Sequence, residues 1–125
     1  MKNSGFTLRK RLKSFRYAFS GIYQLVRYEH NAWIHLLCMV AVIIAGVLLD
    51  ISTMEWIVVT FAIGGVIATE AFNSALEQLA DVVSPEYNQG IKRTKDLAAA
   101  AVLIVAITAA IVGLIIFLPK IINLF

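Results

Sequence analysis

Residues 56–84 read WIVVTFAIGGVIATEAFNSALEQLADVVS. The stretch opens with fourteen uncharged residues, Trp56 to Thr69, which as a helix cover about 21 Å at 1.5 Å per residue. A hydrocarbon core is about 30 Å thick. A helix that spans it must therefore continue through Glu70 and Asn73, which sets a carboxylate at or just below the membrane boundary. No proline interrupts the stretch before Pro85, so the helix is expected to leave the membrane and run on to about Ser84. Gly64 and Gly65 are read as points of close helix contact.

Glu70, Asn73, Ser74, Glu77 and Asp81 fall at i, i+3, i+4, i+7 and i+11. At about 100° per residue they share one narrow helical face, and Phe72, Ala75, Leu76 and Leu79 occupy the other. A stripe with three carboxylates calls for a cationic partner: a divalent metal, a lysine or a proton. Facing the cytosol accounts for Glu77 and Asp81. It does not account for Glu70, because an ionisable residue at membrane depth is by default a functional-site hypothesis.

The rest of the chain supports the membrane as solvent. Its 125 residues are 60% hydrophobic with a mean hydropathy of +0.82, more apolar than a soluble domain, in which roughly half the residues are apolar. The length predicts a single domain, residues 1–125. Three spans enclose little space, so a deep site needs walls from further copies, and a homo-oligomer is expected. The architecture read from the sequence is an all-α membrane protein: an N-terminal amphipathic surface helix over about 6–28, then transmembrane helices over about 31–49, 54–73 continuing to 84, and 97–118.

Eleven basic residues give a net charge of +3, and their placement is uneven. Lys2, Arg9, Lys10, Arg11, Lys13, Arg16 and Arg27 precede the first span; Lys92, Arg93 and Lys95 precede the last. The loop around Asp50 has none, and Lys120 stands alone near the C-terminus. The positive-inside rule then puts the N-terminus and second loop in the cytoplasm and the C-terminus outside. The chain is expected to cross its membrane several times.

Leu8, Leu12, Phe15, Phe19, Ile22 and Val26 recur at steps of three or four with cations between them. That pattern suits a helix lying in the interface against anionic headgroups, and no nucleic-acid partner is expected. Trp33 stands at the cytoplasmic edge of the first span as an interfacial aromatic. His30 and His35 are read as interfacial polarity. Cys38, the only cysteine, is read as a small core residue. Residues 85–94 read as a polar loop, and the third span is expected to end at Pro119. A removable signal peptide is not expected, because no short apolar stretch with a cleavage site follows the basic N-terminus directly.

Glu29, where the surface helix meets the first span, and Lys95-Asp96, where the third begins, lie at the same membrane level as Glu70. Hard oxygen ligands such as Glu29, Asn73 and Glu77 suit magnesium, above all magnesium already carrying phosphates. Lys95 is suited to hold a phosphate as a point charge. No G-x-x-x-x-G-K-[ST] loop or protein-kinase glycine loop is present, so residue chemistry alone does not lead to ATP.

The run Glu70-Ala-Phe-Asn-Ser-Ala-Leu-Glu77, then Asp81 and Lys95-Asp96-Leu-Ala-Ala-Ala-Ala-Val, resembles the signature of the small bacterial integral-membrane diacylglycerol kinase and undecaprenol kinase family. The resemblance covers nearly the whole chain, including Gly5-Phe6-Thr7, Tyr17, Gly21, Glu29 and Pro85-Glu86-Tyr87. It implies ATP-dependent phosphorylation of a lipid alcohol by a homotrimer with active sites shared between subunits. Glu70 matches the catalytic carboxylate that takes the alcohol's proton. Glu29 and Glu77 match magnesium ligands that also contact the nucleotide. Lys10, Tyr17, Asn73, Glu86, Tyr87, Asn88, Lys95 and Asp96 match nucleotide-contacting positions. Lys10 stands where some members carry arginine, and Asn88 where some carry histidine.

Both undecaprenol and diacylglycerol remain open as acceptor, with the Lys95–Ala101 stretch and the basic N-terminal helix closer to the undecaprenol branch. A reading from another class is a small oligomeric proton or cation transporter with Glu70 inside the bundle. Against it, the polar stripe runs outward into the cytosol instead of across the membrane.

The charge asymmetry makes a topological prediction. Single cysteines placed at the two ends are labelled in intact cells with a membrane-impermeant reagent; the C-terminal one is expected to react, and the N-terminal one only after permeabilisation. A C-terminus that reacts only after permeabilisation overturns the topology and detaches Glu70 from the cytosolic face.

Overall fold

The computed structural model describes residues 5–125; Lys2, counted above among the basic residues, lies outside the described residues. The described residues form four helices and no strand: α1 Leu8–Tyr28, α2 His30–Leu48, α3 Thr53–Val83 and α4 Gln89–Ile122. The last three are each long and apolar enough to cross a membrane.

Local chemistry sets the helix ends. Thr7 caps α1 by accepting from the Lys10 N–H at 3.3 Å. One residue, Glu29, separates α1 from α2; its backbone is extended (φ −101°, ψ 112°) and its N–H still bonds the Leu25 carbonyl at 3.2 Å. Between α2 and α3 the chain reverses within a few residues, with Asp50 in the left-handed region at φ 50°, a conformation that a short polar side chain tolerates. Ser52 then opens α3 with a reciprocal capping box: the Glu55 N–H donates to Ser52 Oγ at 3.2 Å, and the Ser52 N–H donates to Glu55 Oε1 at 3.1 Å.

Two helix ends differ from the sequence expectation. The polar loop expected over 85–94 is shorter, because Asn88 Oδ1 accepts from the N–H groups of Gly90 (2.9 Å) and Ile91 (3.1 Å) and starts α4 at Gln89. At the other end α4 passes Pro119 and continues to Ile122. A proline there removes only one backbone donor, and the Pro119 carbonyl still accepts from the Asn123 N–H at 3.1 Å.

α3 and α4 pack against each other along much of their length, and α2 joins them more loosely. A small apolar core sits near the α2–α3 turn, where Ile51, Val59, Ile116 and Phe117 are buried together. Lys120 Nζ, 3.2 Å from Glu55 Oε1, ties the end of α4 to the start of α3 at this same end. No large side chain is fully buried among the described residues, and Leu37, Phe61, Ile104 and Leu114 stand exposed. Such extensive apolar exposure fits lipid or further protein as the surroundings. Gly65 approaches Val105 of α4 as expected of a packing glycine, whereas Gly64 faces open space. Cys38, expected in the core, is exposed beside a cavity between the helices.

Gly46 is required by a close approach: a Cβ built there meets the Trp56 ring at 2.6 Å. Gly46→Ala is therefore expected to destabilise the fold by about 1–3 kcal/mol through overpacking, despite alanine's higher helix propensity. Adding Trp56→Leu is expected to recover most of the loss. Thermal unfolding in detergent checks this, and a higher midpoint for Gly46→Ala overturns the packing argument.

Candidate active site

The polar face of α3 is where the molecule hides its few buried polar side chains. Glu70 is 2% exposed, and Asn73 and Ser74 are 7% exposed each. One turn further Glu77 is half-buried, and Asp81 is exposed. Depth therefore decreases steadily along the stripe, and Glu70 is its innermost member.

Three helices converge on Glu70. From α2, His35 Nε2 lies 3.5 Å from Glu70 Oε2. Glu29, at the α1–α2 break, and Glu77, two turns along α3, are close enough for their charges to act on Glu70. Asn73 Nδ2 donates to Glu77 Oε1 at 3.3 Å, which leaves Asn73 Oδ1 and Ser74 Oγ buried with no partner. Unpaired buried oxygens are uncommon, and one beside a carboxylate offers a donor set for a hard cation. Among the described residues no group of three His, Cys, Asp or Glu side chains converges as a metal site. Magnesium needs less than that, since it keeps waters and binds through one or two carboxylates plus substrate phosphates. The adjoining oxygens of Asn73 and Glu77 fit that requirement.

Two apolar cavities adjoin the cluster. One of about 170 Å³ lies under α1, lined by Ile22, Leu25, Val26, Ile67 and Glu70 itself among others. A larger one of about 390 Å³ lies between α2, α3 and α4, with Met39, Val59, Val66 and Phe117 in its walls. His35 lines both.

The nucleotide-matching positions are more scattered. Lys95 Nζ pairs with Asp81 Oδ1 at 2.5 Å, bringing the start of α4 against the outer end of the stripe. Asp96 instead accepts from Lys92 at 2.6 Å. Asn88 is engaged as the α4 cap, and the Glu86 carbonyl accepts from Ser84 Oγ at 2.9 Å. Tyr87 is exposed, as are Lys10 and Tyr17 on α1. No ion pair among the described residues joins Lys10 or Glu86 to the cluster.

The residue that sequence reasoning missed is His35. It was grouped with His30 as interfacial polarity, yet His30 is exposed and His35 turns inward to Glu70. The pairing joins two helices 35 positions apart, so no local spacing reveals it.

Comparison with known proteins gives the arrangement its context. Residues 16–117 match the sequence profile described as prokaryotic diacylglycerol kinase. The chain is 38% identical over 113 residues to an undecaprenol kinase of Bacillus subtilis (strain 168), covering 90% of this chain and 92% of that protein. It is 39% identical over 114 residues to a diacylglycerol kinase of a Synechocystis species, covering 90% of this chain but only 65% of the relative's length. A match over most of the chain, on an all-helical fold with three helices suited to spanning a bilayer, places it: the chain belongs to the prokaryotic diacylglycerol kinase family, and it is a membrane lipid kinase.

Proposed function

We propose that this protein transfers the γ-phosphoryl group of ATP to a long-chain lipid alcohol, undecaprenol foremost, at the cytoplasmic face of a bacterial membrane. The observation that carries the reading is Glu70: a carboxylate withdrawn from water, opening on an apolar cavity, with other oxygen donors outward along the same helix face. A lipid hydroxyl reaches such a carboxylate laterally from the bilayer while a nucleotide arrives from the cytosol. The preference for undecaprenol over diacylglycerol rests on the end-to-end match to a relative with that name and on the Lys95–Ala101 stretch.

In this mechanism Glu70 accepts the hydroxyl proton as the alcohol oxygen attacks the γ-phosphorus and the bond from that phosphorus to the β–γ bridging oxygen breaks, so that ADP leaves. Glu29 and Glu77, with Asn73 Oδ1, would hold magnesium, and through it the nucleotide phosphates. The metal supplies neutralisation of the charge on the transferring group. Lys95 meets the phosphates, exchanging its present partner Asp81 for them, and Asp96, Lys10, Tyr17, Glu86, Tyr87 and Asn88 complete the nucleotide contacts. Most of these stand apart within one protomer, which supports a homotrimer whose neighbouring copies close the site. α1 rests in the interface, where exposed Phe15, Phe19 and Ile22 meet lipid and its cations meet headgroups. The N-terminus is cytoplasmic and the C-terminus outside.

The test is a radiolabelled ATP assay in mixed micelles with undecaprenol and diacylglycerol offered separately. Undecaprenol is expected to be the better acceptor, and a preference for diacylglycerol overturns the substrate assignment. In the same assay Glu70→Gln is expected to lower kcat by about 10²–10⁴, the usual worth of general-base catalysis, with ATP binding and assembly intact. Retention of more than about a tenth of wild-type turnover excludes Glu70 as the base. Asp81→Asn is expected to cost far less.

Glu29→Gln and Glu77→Gln address the metal separately. Each is expected to shift the magnesium dependence of nucleotide binding to higher concentration while the oligomer persists. Unchanged magnesium titrations in both variants remove these carboxylates from the metal site.

A further inference from the structure

Glu70 is a long side chain in a mostly apolar setting, and its function as a base depends on where its oxygens point. Leu25 and Ile22 of α1 and Ile67 of α3 surround it with hydrocarbon. Of the titratable groups acting on it among the described residues, Glu29 and Glu77 repel the carboxylate, and only His35 attracts it. His35 comes from a different helix, is itself mostly buried with 22% of its side chain exposed, and lies in the walls of both cavities. Its 3.5 Å separation from Glu70 is long for a hydrogen bond, as contacts in unloaded active sites often are before the substrate complex tightens them.

We propose that His35 is a positioning residue for Glu70: its Nε2–H donates to Glu70 Oε2 and turns the other carboxylate oxygen toward the lipid hydroxyl. The proposal rests on the reading of Glu70 as the proton acceptor and adds the device that aims it. Imidazole is suited to this place. A permanent cation would hold down the carboxylate's affinity for a proton, and an ammonium in an apolar wall is costly. A histidine N–H facing the carboxylate across 3.5 Å orients it without setting a permanent cation in the apolar wall. Losing that anchor frees the side chain to drift, and a misplacement of about 1 Å in a reacting group costs up to about 10²-fold in rate.

Turnover and both KM values are measured in mixed micelles for H35L, H35Q and H35N, with H35L also made on the E70Q background. H35L is expected to lower kcat by about 10- to 100-fold while KM for ATP stays within about twofold. The amide nitrogen of glutamine reaches near the place of imidazole Nε2, so H35Q is expected to recover most of the loss. The shorter asparagine of H35N is not. On the E70Q background H35L is expected to cost less than about twofold, because a residue acting through Glu70 has nothing left to aim. Assembly of each variant is checked by size-exclusion chromatography. Should H35L fail to assemble, the comparison of H35Q with H35N, both polar, decides alone. The proposal is overturned if H35L keeps kcat within about threefold of wild type, if H35N equals H35Q, or if H35L costs its full factor on E70Q. An active E70Q removes the base assignment and this proposal with it, whereas an inactive E70Q beside a fully active H35L removes only the role of His35.

Discussion

A carboxylate kept from water must find its compensation among neighbouring groups, since the cost of an unpaired buried charge is several kcal/mol or more. In this protein that demand falls on Glu70, and much of the cytoplasmic architecture proposed here can be understood as meeting it. Its position is dictated by length. If α3 spans the bilayer, its uncharged part alone is too short to do so, and the first charged residue beyond it falls where hydrocarbon gives way to headgroups. His35, from the first part of α2, is the neighbour that offsets the Glu70 charge, whereas Glu29, from the break before α2, and Glu77, further along α3, add repulsion that calls for a cation.

The long α3–α4 pair makes that convergence dependable. At their distant end the two helices are held by the Ser52–Glu55 capping box, the Lys120–Glu55 ion pair and the small core around Ile51 and Phe117. At the near end Lys95 meets Asp81. Charged contacts of this exposed kind are individually weak, but they lie at opposite ends of two stiff rods. Together with the packing of α3 on α4 they register the two helices against each other.

How much of this was legible beforehand follows from how local each feature is. The i, i+3, i+4, i+7, i+11 stripe is a property of one helix, so sequence alone placed Glu70, Asn73, Ser74, Glu77 and Asp81 on a common face, and burial of the first three agrees. Gly65 was readable as a packing position, but its neighbour Gly64 was not distinguishable from it, because the two differ only by about 100° of rotation relative to α4. α4 runs beyond the expected span at both ends: the side-chain cap at Asn88 outweighs the polar character of residues 89–94, and Pro119 costs one donor where few remain to lose. His35 and the Lys95–Asp81 pair were out of reach, since each joins separate helices whose relative rotation no single-helix pattern encodes. Family resemblance marks Lys95 as a nucleotide-contacting position and is silent on its pairing with Asp81.

The single residue between α1 and α2 has a mechanical meaning. α1 is 21 residues long, a lever of about 31 Å, and its only non-helical link to α2 is Glu29 itself. Rotating that lever by about 10° moves its far end by roughly 5 Å, and the dihedral change falls on the backbone that carries the Glu29 carboxylate. The angle between α1 and α2 and the direction of that carboxylate are thus coupled. Glu29 is therefore the one carboxylate of the proposed site whose direction depends on how α1 is held against α2 and α3, where Leu25 is buried.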